Sequence, residues 1–323
     1  MSESIADTSG LDSGIHEPED PGKLTIAQPT MPNRKPRVWP LFVFLLLGIF
    51  LTFVVQIVAM VPAAIFLTDF PINDTDELVE AMEEVLDDPR VMIILGFTTG
   101  VALLITTLAA CLVSPVPWRE RLNLHSPRIG PMGWLIAIIG TLCFGVTLTG
   151  LQGLNIVPPS EAIDEIFQAI TSSGNDWIWA AVFVIGLMPG IDEELFFRGY
   201  IQTRLTERWG AFVAITITAS LFGIIHLDPV QGPFAAAIGA FLGYLTVLTR
   251  SVIPAMMCHA FNNTLFVLLA LIFPSLDPPE DIAINWVIIA VSIFILVLCV
   301  RYLRRQATEL NTTNPDQTTA TPQ

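Results

Sequence analysis

Pro189-Gly190-Ile191-Asp192-Glu193-Glu194-Leu195-Phe196-Phe197-Arg198-Gly199 puts three carboxylates and a guanidinium into a long apolar run. A charge at the centre of a membrane helix costs roughly 2.5–3.5 kcal/mol on insertion scales, so such groups persist when they are paired or when they line a wet, working cavity. A structural ion pair between two helices is the plain explanation for a lone charge. It accounts less well for Glu-Glu-x-x-x-Arg directly after Pro-Gly, with two more polar clusters in later apolar segments.

The rest of the chain makes the apolar setting general. Of 323 residues, 53% are hydrophobic and only 14% are charged, against about 25% charged in a soluble domain. The apolar residues come in blocks of about 20, which reads as all-α: a polytopic transmembrane helical bundle. A barrel would need short alternating strands, and the blocks do not alternate. The four cysteines, Cys111, Cys143, Cys258 and Cys299, all lie in apolar blocks and none forms a C-x-x-C pair. They read as small apolar fillers rather than disulfides or zinc ligands. Nothing points to nucleic acid.

Working outward, about eight spans are expected. They cover about 38–67, 91–113, 132–157, 177–208, 211–226, 230–249, 252–273 and 284–300. Residues 1–36 and 306–323 are polar and are expected to be disordered cytoplasmic tails around a transmembrane bundle over 37–305. No short apolar core follows Met1, so a signal peptide is not indicated. In residues 68–90, Leu78, Val79, Met82, Val85 and Leu86 recur at helical spacing, and Asp74 with Glu77 three residues on is a capping signal. A surface amphipathic helix is expected there. Ile163, Ile166, Phe167 and Ile170 give a second amphipathic stripe, and Trp177 and Trp179 read as interfacial anchors. With eight spans and a cytoplasmic N-terminus, the inner side collects every one of the 15 basic residues except Arg90, although Arg198 is really within a span. The positive-inside rule then puts both termini in the cytoplasm.

Three embedded polar clusters stand out: Glu193-Glu194-x-x-x-Arg198, Phe222-x-x-x-His226 and His259-x-x-x-Asn263. Glu194 and Arg198 are four apart, share a helix face and can pair. Glu193 is turned about 100° away and is freer to face a cavity. Phe222 lies one turn before His226 and can pack under its imidazole. Pro189 cannot donate to the carbonyl of Ile185, so a kink is expected just before the carboxylates. Asp192 is read either as tuning the site or as facing the outer water. A carboxylate, two imidazoles and an amide suit water activation, with Glu as base, His orienting water or passing the proton, and Asn donating to an oxyanion. A zinc version is also open, with Glu193, His226 and His259 as ligands, although no His-Glu-x-x-His motif supports it.

Together the three motifs resemble the CAAX prenyl protease type II family, also called CPBP or Abi, over roughly residues 130–273. The resemblance implies an intramembrane endopeptidase with Glu193 as general base. Glu194, His226, His259 and Asn263 would complete the catalytic set, Asn263 at the oxyanion, with Arg198 and Phe222 in support. The family has been described both as metallo- and as glutamic proteases; the metal-free version is favoured here, because a Glu base needs only water. The implied partner is a membrane-associated protein or peptide in the bilayer. Short loops and tails suggest a bacterial cytoplasmic (inner) membrane, where prenylated substrates are generally lacking. Two other functions compete: a non-catalytic scaffold or bacteriocin-immunity-type protein on the same fold, and a proton-coupled transporter.

Overall fold

A computed structural model describes residues 36–67, 85, 88–273 and 278–313. The described residues are helical, with no strand among them. The helices are α1 (Trp39–Leu67), α2 (Pro89–Leu112), α3 (Pro131–Gly153), α4 (Glu161–Ser172), α5 (residues 178–209), α6 (Ala211–Ile224), α7 (Gln231–Thr249), α8 (Ile253–Ile272) and α9 (Ile282–Thr313). The surface helix expected within 68–90, including its Asp74 cap, and the tails over 1–35 and 314–323 lie outside the described residues. α9 continues as helix to Thr313, past the span end expected near 300 and through 306–313 of the stretch expected as a tail.

Among the described residues six helices are long and apolar enough to cross a bilayer: α1, α2, α3, α7, α8 and α9. The other two expected spans take a different form. α5 is continuous helix, but its charged centre and two π-wound segments, Val182–Leu187 and Leu195–Gln202, set it apart. α6 has 14 residues, which is about 21 Å against a hydrocarbon thickness of about 30 Å.

Local sequence explains the helix ends. Asp88 caps α2 by accepting from the Arg90 amide at 2.8 Å, and Pro89 opens the helix where no amide partner is needed. Beside Asp88, the Arg90 guanidinium holds the carboxyl below its usual range, chiefly by hydrogen bonding. Ser160 caps α4 by accepting from Ile163 N–H at 3.2 Å. The expected stripe of α4 packs inward: Ala169 and Ile170 join Ile93 of α2, Ala181 and Val184 of α5 and Val267 of α8 in one buried cluster, with Ile166, Phe167 and Trp177 against it. Trp179 is 79% exposed, as suits an interfacial anchor. Gly210, at φ +87°, makes the reversal between α5 and α6, a conformation that a Cβ would disfavour. All four cysteines are free and buried.

The helix ladder around Pro189 is rewound rather than broken. In the preceding π segment the Met188 amide reaches back five residues to the Phe183 carbonyl. That pattern offsets the ladder by one residue, so the missing Pro189 donor falls out of step with the carbonyl it would otherwise serve. The two π segments flank Met188–Glu194 and set the azimuth of the carboxylates.

Candidate active site

α5 and α8 come together through small residues. A Cβ on Gly190 would lie 2.5 Å from the Ala260 amide nitrogen, and one on Gly186 would lie 3.0 Å from Thr264 Cα. Gly186 and Gly190 are one turn apart on α5, as Ala260 and Thr264 are on α8. Only glycine allows this backbone approach, the small-x-x-x-small packing of membrane helices. It brings Glu194, one turn past Gly190, against His259, the neighbour of Ala260.

The centre is an ion-paired triad. Arg198 Nη1 donates to Glu194 Oε1 at 2.7 Å, and both side chains are fully buried. His259 Nδ1 lies 2.8 Å from the same oxygen. A carboxylate oxygen in an ion pair accepts, so Nδ1 carries the proton and donates. In the neutral ring Nε2 of His259 then carries the lone pair, and Nε2 faces Glu193 Oε2 at 3.9 Å. Glu193 is partly exposed, whereas Glu194 is completely enclosed. The two adjacent glutamates thus have different surroundings: one is locked by Arg198 and His259, the other is open to a reactant.

Phe222 joins the remaining parts. Its ring stands edge-on to His226 at 5.0 Å and to His259 at 6.0 Å between centroids. The Arg198 guanidinium lies 4.3 Å from the centre of the Phe222 ring, a cation–π contact that adds to its pairing with Glu194. His226 Nδ1 donates to the Phe222 carbonyl at 2.7 Å, since a carbonyl can only accept. No carboxylate lies within 4.0 Å of His226 among the described residues; His226 reaches the glutamates through Phe222. Asn263 sits one turn beyond His259 on α8, and its Oδ1 accepts from Asn262 Nδ2 at 3.1 Å. That bond leaves the Asn263 amide N–H groups available.

α7 closes the far side of Arg198. A Cβ on Gly239 would approach Arg198 Nη2 to 2.7 Å, and the Gly243 carbonyl accepts from Gln202 Nε2 at 2.9 Å. Gly239 and Gly243 repeat the four-residue spacing seen on α5. Sequence reading passed over both glycine pairs, although their spacing was visible.

Asp192 does not face outer water. It is 2% exposed, accepts from the Glu193 amide at 2.7 Å, and lies against Gly100 of α2. The Gly190 contact turns Glu194 toward α8, and a residue two positions earlier on the helix projects toward α2 instead.

Among the described residues no three His, Cys, Asp or Glu side chains gather as a metal-binding group.

Residues 175–265 match the model of one protein family, described as Type II CAAX prenyl endopeptidase Rce1-like. That stretch includes all three polar motifs. The matched stretch is thus similar to a CAAX-type endopeptidase family, and this likeness, with six helices among the described residues long and apolar enough to cross a bilayer, supports an integral membrane protein. No curated protein and no solved structure matches the chain.

Proposed function

We propose that this protein is an intramembrane endopeptidase that hydrolyses a peptide bond of a membrane-associated substrate with water activated by Glu193. The observation that carries the reading is the relay Arg198–Glu194–His259–Glu193. Glu194 takes the Nδ1–H of His259, and in the neutral ring the Nε2 lone pair then faces Glu193 Oε2 across 3.9 Å. Two acceptors at that separation suit one bridging water that donates a hydrogen to each.

Glu193 takes one proton as the water oxygen bonds to the scissile carbonyl carbon. The carbonyl π electrons move onto oxygen, and the Asn263 amide donates to that oxyanion. As the C–N bond breaks, the proton held by Glu193 passes to the leaving amine. His226 orients the substrate or water from the Phe222 side. The chemistry needs no metal. The topology that accompanies this reading has both termini in the cytoplasm, with α5 and α6 completing eight membrane segments, in a bacterial inner membrane.

Comparative membrane and secretome proteomics of cells carrying the wild type or Glu193→Ala tests the function. Insertion is checked by membrane fractionation. At least one peptide cleavage is expected to disappear in the variant, and chelator treatment of the active wild type is expected to leave cleavage intact. Biological activity that persists unchanged in Glu193→Ala would support the scaffold reading instead. Chelator-sensitive cleavage would favour the metallo-type mechanism.

A further inference from the structure

The loop between α6 and α7 carries more than His226. α6 packs along residues 195–209, the second half of α5. Glu194 lies 16 residues before the Gly210 reversal and His226 lies 16 residues after it, so the loop ends about level with the carboxylates. Phe222 stands between the two imidazoles, edge-on to both, which keeps the loop close to the relay. The backbone of this loop is only half paired. The His226 amide donates to the Gly223 carbonyl at 3.2 Å, and the Leu227 amide donates to the Ile224 carbonyl at 3.1 Å. The carbonyls of His226 and Leu227 accept nothing among the described residues. Local sequence accounts for this. Pro229 has no amide hydrogen to return, and Asp228 Oδ1 takes the next two, from Val230 at 2.8 Å and from Gln231. Leu227 is held at φ +53°, a left-handed conformation that glycine adopts freely and leucine does not. It is also 85% exposed.

Glycine at position 227 would relax the turn and give up little buried contact, so the fold itself does not call for a leucine there. Hydrocarbon offers no donor to a free carbonyl, and non-helical backbone at membrane depth lines water or is covered by polypeptide. Water alone would satisfy the carbonyls and leave the leucine without a partner. A polypeptide in extended form supplies both partners: amide hydrogens for the two carbonyls and an apolar side chain for Leu227. Main-chain bonds of this kind give affinity, and the side-chain contact gives specificity. The neighbouring face of α5 is uncovered as well. Ile191, Leu187 and Phe183, at four-residue spacing before residues 195–209, are 41–49% exposed.

We infer that the α6–α7 loop is the edge on which the substrate chain docks, with substrate amides donating to the His226 and Leu227 carbonyls and an apolar substrate side chain packing on Leu227. This rests on the peptidase reading and adds the class of chain accepted: an extended segment with an apolar residue near the scissile bond. The purified full-length protein in detergent is assayed on a synthetic peptide spanning the bond that Glu193→Ala leaves uncut. Copies of that peptide are N-methylated at one amide at a time, the scissile amide excepted. At least one copy is expected to be cleaved about tenfold less efficiently, the effect of a lost hydrogen bond at a site that then stays unpaired. Leu227→Gly is expected to lose about tenfold in kcat/KM, chiefly through KM. It should melt no lower than the wild type, because glycine is relaxed at that φ. Leu227→Met keeps an apolar side chain of similar size and should cleave nearly as the wild type does. Wild-type cleavage by Leu227→Gly overturns the leucine contact, and a lowered melting temperature in that variant gives Leu227 a structural role instead. Equal cleavage of every N-methylated copy overturns the carbonyl docking. If no cleavage depends on Glu193, the peptidase reading fails and the docking edge with it. If cleavage depends on Glu193 but ignores both Leu227 and N-methylation, the docking edge alone fails.

Discussion

Gly190→Ala tests the joint that sets the catalytic geometry. A Cβ on Gly190 would lie 2.5 Å from the Ala260 nitrogen and 2.7 Å from the Ala260 Cα. Both are backbone atoms of α8, and neither can swing aside. Ordinary carbon contacts lie at about 3.5–4.0 Å, so α5 and α8 must part by about 1 Å at this point. Glu194 is one turn along α5 and His259 is the residue before Ala260. Their 2.8 Å bond would stretch to about 3.8 Å, beyond hydrogen-bond range. Overpacking costs about 1–3 kcal/mol, and losing a hydrogen bond to a charged group adds about 1.5–3 kcal/mol. Alanine's better helix propensity returns up to about 1 kcal/mol. The expected net loss is about 2–5 kcal/mol, read by thermal unfolding of the purified protein. Cleavage should fall by about 10²-fold, the penalty of a 1 Å misplacement. Gly145→Ala is the control, since nothing lies within 4 Å of a Cβ there; it should be neutral or slightly stabilising. If the two alanine variants melt together and cleave equally, Gly190 is not the joint described.

The two adjacent glutamates should separate by readout. Glu194→Gln leaves the fully buried Arg198 without its carboxylate and should cost about 3–5 kcal/mol. Glu193→Gln, at a partly exposed position, should stay within about 0.5 kcal/mol of the wild type while abolishing cleavage; thermal unfolding and a cleavage assay on the same samples check both. Asp88 supplies a pH signature. Its carboxyl is held below the unfolded value by Arg90, so its stabilisation is complete above about pH 4 and is lost as pH falls through the depressed folded value. Asp88→Ala also removes the α2 cap and should cost about 0.5–2 kcal/mol at pH 7, a gap that narrows in acid; unfolding measured from pH 7 to pH 3 checks this.

Much of the site was legible because helix geometry is periodic. Four-residue spacing is enough to pair Glu194 with Arg198 and to set Phe222 under His226. It also turns Glu193 away from its neighbour. Apolar block length located α1, α2, α3, α7 and α8 to within a few residues, since bilayer thickness and helix rise fix that length. The stripe of α4 was readable for the same reason. Block length also placed α6 to within two residues, but it could not reveal that α9 extends to Thr313. Hydropathy records composition, and the persistence of a polar helix is not a property of composition.

What the sequence by itself determined is the class of molecule and the inventory of its reactive groups: a helical membrane protein with one carboxylate pair, two embedded imidazoles and an amide. The tertiary structure decided which of them touch. His259 bonds Glu194 rather than Glu193, and Asp192 is buried against α2. These outcomes depend on how closely two helix backbones approach and at what rotation. The π segments and the Gly190–Ala260 contact set both. Such contacts join residues 70 or so positions apart in the chain, beyond the reach of any local periodicity.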